Sequence, residues 1–181
     1  MADALTGLGV PGGQIRLLAE GAATRGSVHG ALDWLVANAG PDALAVVFFA
    51  GHVGKSGGAE ELRLVDGGLR DTELARRLER LQARRAWVVV AGCFGGGFTE
   101  VLAPGRVLTG AAGPDQNAYE STEFNRSYLV QYMVRRALIE RRSEPTVQAA
   151  FAYADAALGR EHPEHRPVQF EMHAPPLDLR G

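Results

Sequence analysis

Two short apolar runs constrain the fold more than anything else in the chain. Ala43-Leu44-Ala45-Val46-Val47-Phe48-Phe49 and Ala86-Trp87-Val88-Val89-Val90-Ala91 carry no polar side chain. Each is far shorter than the ~20 apolar residues of a membrane-spanning helix. A strand that is apolar at every position is buried on both faces, which requires a parallel sheet covered by helices above and below. Helical stripes fall where such a sheet needs them. After Ser27, a plausible N-cap, apolar residues stand at Val28, Ala31, Leu32, Leu35, Val36 and Ala39, spaced as on one face of a helix. Asp71 is placed to cap a second stripe of Leu74, Leu78 and Leu81.

The remaining segments extend the same alternation. Arg106-Val107-Leu108-Thr109 reads as a third strand, and Gln14-Ile15-Arg16-Leu17-Leu18 as a short one near the N-terminus. Gly57, Gly58, Gly67 and Gly68 bracket Leu62-Arg63-Leu64-Val65 as a small surface hairpin. Helices are expected over about 123–141 and, with Pro145 near its first turn, about 145–158. The Pro- and His-rich tail, residues 162–181, is expected to hold a strand near Val168-Gln169-Phe170. No linker divides the 181 residues, so the expectation is one α/β domain over 1–181: a mostly parallel sheet with helices on both faces.

Composition narrows the function. With 19 Lys plus Arg against 21 Asp plus Glu, the net charge is −2. That balance argues against nucleic acid or an anionic membrane as partner. The arginines at 76, 77, 80, 84 and 85 read as a solvated helix face. The N-terminus lacks the basic-then-apolar order of a signal peptide. Cys93 is the single cysteine, which excludes an internal disulfide and suits a reducing, cytoplasmic location.

In open α/β sheets, reactive groups collect at the carboxyl ends of strands. The first apolar run leads through Ala50 into Gly51-His52-Val53-Gly54, and the second into Gly92-Cys93-Phe94-Gly95-Gly96-Gly97. A histidine and the only cysteine thus occupy corresponding positions, wrapped in glycine. If the two strands are parallel near neighbours, their tips lie within reach and supply the parts of a cysteine nucleophile with a histidine base. A thiol with pKa ~8.5 is mostly protonated at neutral pH, and an adjacent imidazole can take its proton. The same imidazole can later protonate a leaving amine. Backbone N–H groups of Cys93 and Val53 could face a developing oxyanion.

From about Leu8 to Leu138 the chain resembles the caspase-like cysteine peptidases: caspases, metacaspases and bacterial relatives, with legumain-type enzymes more distant. The resemblance is carried by Ala23-Thr24-Arg25, Phe48-Phe49-Ala50-Gly51-His52, Gly68 to Leu74, Val88 to Gly96, and Leu108 to Glu120. It implies a caspase-like three-layer sandwich and a cysteine endopeptidase working through a thioester acyl-enzyme, without cofactor or metal, on a protein or peptide substrate. It also implies Cys93 as nucleophile and His52 as general base and acid, with oxyanion donors from the amides of Cys93 and Val53. Val53 stands where the family normally has glycine. Metacaspases hold a basic P1 side chain with one acidic residue two before the cysteine and another in their Asp-Gln segment. Here the first position is Ala91, while Glu120 stands at the second, with Asp115 in the same segment. A basic P1 is the expectation. Arg25 is a further pocket candidate, weighed against a capping or surface role.

The chain departs from that family at its start. Relatives open with an apolar strand that lies centrally in the sheet, whereas this chain begins at what resembles the end of the following helix, Ala2 to Pro11. The expectation is a sheet with unpaired edges, completed by another chain or by self-association. The non-enzyme alternative is a pseudo-peptidase serving as a binding or assembly module. Three other readings fit less well. A phosphate loop around Lys55-Ser56 needs glycine at position 49, where Phe49 stands. A nucleophile elbow with His162, His165 or His173 downstream needs glycine at Ala91. Metal binding by the histidines of the tail lacks a ligand motif.

Overall fold

A computed structural model describes residues 1–180. The main sheet has four strands in the order β1-β5-β6-β9: β1 (Leu44–Ala50), β5 (Arg85–Ala91) and β6 (Arg106–Gly110) are parallel, and β9 (Val168–Met172) closes the far edge antiparallel. Side chains alternate across it. Val47, Phe49, Val88, Val90 and Leu108 pack toward α2 (Arg25–Asn38) and α3 (Asp71–Leu78). Val46, Phe48, Trp87, Val89 and Val107 pack toward α1 (Ala2–Gly7), a π-helix (Val130–Ile139) and α4 (Val147–Glu161). The result is an α/β three-layer sandwich, a mostly parallel sheet with helices on both faces.

β5 lies inside the sheet, and its residues Ala86 to Ala91 are buried. Its Trp87 Nε1 donates to Thr109 Oγ1 at 2.9 Å, and that hydroxyl donates to Gln169 Oε1 at 3.2 Å. The relay satisfies the buried polar groups across three strands. β1 differs from the sequence expectation. It pairs with β5 alone and stands at the edge, so Val46 to Phe49 are half-buried rather than enclosed.

The expected strand at Gln14–Leu18 does not form. A 3-10 turn (Gly12–Gln14) is followed by extended chain. Among the described residues no neighbouring strand supplies a ladder, so the stretch stays outside the sheet, with Leu17 72% exposed and the Arg16 guanidinium over the Trp34 ring at 4.1 Å.

Helix starts also shift for local reasons. α2 is capped by Thr24, not Ser27, which sits three residues in and returns the bond: Ser27 N–H donates to Thr24 Oγ1 (3.2 Å) and Thr24 N–H to Ser27 Oγ (3.0 Å). Asp71 begins α3 but spends one oxygen on Glu60 N–H at 3.1 Å, tying the helix to the neighbouring sheet. The helix expected from residue 123 starts later, because a small hairpin of β7 (Glu120–Ser121) and β8 (Arg126–Ser127) takes up the first residues. α4 begins after Thr146, whose Oγ1 accepts from Ala149 N–H.

The glycine-bracketed hairpin is larger than expected: β2 (Val53–Ser56), β3 (Ala59–Leu64) and β4 (Gly67–Arg70) form a three-stranded antiparallel sheet. The tail beyond β9 docks, with Leu177 and Leu179 buried and bonded through backbone to Val147 and Pro145. No helix among the described residues is long and apolar enough to cross a membrane.

Candidate active site

The register of β1 against β5 places the two candidate catalytic residues. Ala50 is opposite Ala91 in the last pair of the ladder, so His52 and Cys93 each lie two residues beyond the same rung. Parallel strands run ~4.8 Å apart, and both residues therefore follow neighbouring strand tips at the carboxyl edge. The tips are in close contact: a side chain on Gly92 would run into the Gly51 carbonyl and meet Val53 Cγ2. Glycine is required there for the two loops to leave the sheet side by side.

Beyond the tips the loops turn sharply in different ways. Phe94 adopts a left-handed conformation (φ 55°, ψ 16°), unusual for a bulky residue, and holds Cys93 at the apex of a tight turn. Phe94 N–H donates to Gln116 O at 2.8 Å. On the other side the chain enters β2, where Arg63 N–H donates to His52 O at 2.9 Å. That bond makes His52 and Arg63 a hydrogen-bonded pair. The next pair, Val53 with Leu62, is then non-hydrogen-bonded. The Val53 N–H consequently points away from β3, free for another acceptor.

The thiol is half-buried and donates to Ala118 O at 3.5 Å, while the exposed His52 imidazole makes no hydrogen bond among the described residues. Backbone register thus sets the two candidate residues on neighbouring loops, with the thiol turned onto the 111–119 loop. Ala118 had no signal in the sequence, since a backbone carbonyl can come from any residue.

The candidate pocket residues divide. Glu120 lies two residues past Ala118, on β7, exposed and without an ion-pair partner among the described residues. Asp115 is on the same loop but already engaged: Lys55 Nζ lies 2.7 Å from Asp115 Oδ1, 3.5 Å from Glu60 Oε1 and 5.3 Å above the Phe94 ring centre. Hydrogen bonding to Asp115 holds the Lys55 ammonium above its ordinary range. The nearly buried Glu60 is pushed up, first by burial and then by its bond with Asp71. In the sequence, Lys55 stands out only beside an incomplete phosphate-loop pattern.

Arg25 is spent on structure. Its guanidinium pairs with Glu73 at 2.8 Å and donates to the Gly68 carbonyl, and its N–H donates to Asp66 Oδ1. These bonds fasten α2 to β4 and α3, and none reaches the tips of β1 or β5. Behind the 111–119 loop lies a cleft of about 230 Å³, lined by Gln116, Ala118, Tyr119, Tyr128 and His165 among others. Tyr128 and His165 stack at 3.9 Å, and burial holds the His165 imidazole below its ordinary range.

Comparison with solved structures agrees with this architecture. The chain is similar in fold to caspase-1 from Spodoptera frugiperda, with TM-score 0.65 and 13% identity, over 98% of this chain and 77% of that one. A structural-genomics protein from Geobacter sulfurreducens is similar with TM-score 0.66 and 15% identity, over 85% of this chain and 75% of that one. No protein-family model matches the sequence, and no curated protein matches it either.

Proposed function

We propose that the chain is a cysteine endopeptidase, with Cys93 as nucleophile and His52 as general base and acid. The observation that carries this reading is the shared register of the two residues beyond the Ala50–Ala91 pair. In the proposed cycle the thiol turns from Ala118 O to the imidazole, which takes its proton. The thiolate attacks the scissile carbonyl, and the oxyanion accepts from the N–H groups of Cys93 and Val53. Collapse breaks the C–N bond, the imidazolium protonates the departing amine, and a thioester remains. Water, deprotonated by the same imidazole, releases the acid and restores the thiol.

Glu120 is exposed, without an ion-pair partner among the described residues, and two residues beyond the Ala118 carbonyl that meets the thiol, which supports a basic P1 side chain. Hydrolysis of a peptide panel varied only at P1 tests this. Arg or Lys is expected to lead, with Glu120→Gln lowering kcat/KM for those substrates alone. A panel led by Asp, Asn or an apolar residue overturns the preference.

The alternative reading, a pseudo-peptidase retained as a binding module, is favoured by the thiol's bond to Ala118 O. It predicts an ordinary thiol, indifferent to His52, and no hydrolysis of any panel member.

A further inference from the structure

Five contacts converge on one loop. Gln116 O accepts from Phe94 N–H and Ala118 O from the Cys93 thiol, so the loop lies directly along the nucleophile's turn. Gly113 N–H donates to Gln116 Oε1 at 3.3 Å, and Ala112 O accepts from Gly96 N–H, which fix its base. At its outer end Asp115 is fastened by Lys55, which belongs to the β2–β3 hairpin that follows His52. The pair therefore spans from the histidine's hairpin to the cysteine's covering loop, passing over Phe94.

Two more features make this loop a movable part. Its residues 116–118 line the cleft of about 230 Å³, so the loop borders open space into which it can shift. The front contact is an exposed ion pair, with the Asp115 side chain 86% exposed, and such pairs are weak and screened by salt.

We propose that residues 113–118 are an autoinhibitory strap, latched by Lys55–Asp115, which parks the Cys93 thiol on Ala118 O until the latch opens. The consequence for catalysis rests on the proposed role of Cys93, but the strap itself is a statement about access to the thiol. Lys55 is the only lysine in the chain, the other basic side chains being arginines and histidines. Acylation at that one side chain removes the latch charge as surely as mutation does.

The test is the alkylation rate of Cys93 by a small neutral reagent such as iodoacetamide, read by intact mass on the whole chain. Asp115→Asn is expected to speed labelling about two- to fivefold, the range an exposed ion pair allows. Asp115→Lys, which sets two cations against each other, is expected to speed it further. Raised salt should speed the wild type and leave Asp115→Asn unmoved. Acetylating Lys55, with the N-terminal amine modified in a parallel Lys55→Gln control, should match Asp115→Asn. Equal rates across the series, or slower labelling in the variants, overturn the strap. A peptidyl electrophile, run on the same proteins with and without His52→Ala, reads the dyad separately. Faster neutral labelling with no His52 dependence keeps the strap and removes the peptidase. His52 dependence with unchanged neutral rates does the reverse.

Discussion

Gly92 shows how much of the site depends on one missing methyl group. Any side chain there meets the Gly51 carbonyl, a backbone atom that cannot swing aside. Gly92→Ala is expected to force the two tips apart and to cost about 1–3 kcal/mol, as overpacking does. Denaturant melts would record the stability loss, and peptidyl labelling of Cys93 should fall with it. Full labelling in a stable Gly92→Ala protein would show that tip contact is dispensable. The candidate pair was legible in the sequence because glycine-flanked His52 and Cys93 follow recognisable strands. Ala118 and the Lys55–Asp115 pair were not. A backbone carbonyl has no residue-type signature, and the paired charges stand 60 positions apart.

Among the elements, the π-helix and α4 are joined by a buried hydroxyl and a charge pair. Tyr132 is fully buried and donates to Glu161 Oε2 at 2.6 Å, while Arg136 Nη1 reaches the same oxygen at 2.9 Å. Burial, then the bond to Glu161, pushes the tyrosine up to about 12, so it remains a donor throughout the working pH range. The Tyr132 and Arg136 bonds hold the Glu161 carboxyl below its ordinary value. A depressed carboxyl stabilises the fold above its unfolded pKa, and that contribution disappears as pH falls through the folded one. Tyr132→Phe should therefore cost about 1 kcal/mol at neutral pH and progressively less in acid below the ordinary glutamate range. Urea melts across a pH series measure this, and a penalty that grows on acidification would contradict it. Within the sheet, Thr109→Val should cost about 1–3 kcal/mol, because it leaves Trp87 Nε1 buried without an acceptor. A wild-type midpoint in the same melts would exclude that relay as a stabilising feature.

Helix and strand boundaries divide in the same way as the residues did. β5 could be read from its apolar run because burial on both faces writes itself into composition. The Gln14–Leu18 strand could not be read correctly, because a strand exists only with a neighbour to complete its ladder. The cap of α2 was displaced by one turn because Thr24 and Ser27 bond reciprocally, so either looks like a cap when taken alone.

For the molecule as a whole, the parallel sheet with helices above and below was legible from periodicity, while the position of β1 was not. Its seven apolar residues imply enclosure, yet among the described residues one edge has no partner strand. It carries no Lys or Pro of the kind that blunts edges. The account expects concentration-dependent self-association or capture of an added strand at this edge. Sedimentation over a dilution series checks this, and a single monomeric species throughout would count against it.

The claim on which the rest depends is that the tips of β1 and β5 bring His52 and Cys93 into one working pair. Intact-mass labelling by a peptidyl electrophile with Arg at P1, in wild type and His52→Ala, tests it most directly. The account predicts a single adduct on Cys93 that forms quickly in the wild type and is slowed at least about a hundredfold by His52→Ala, the scale of a lost general base. Equal and slow labelling of both proteins would contradict it, leaving Cys93 an ordinary thiol on a caspase-like frame.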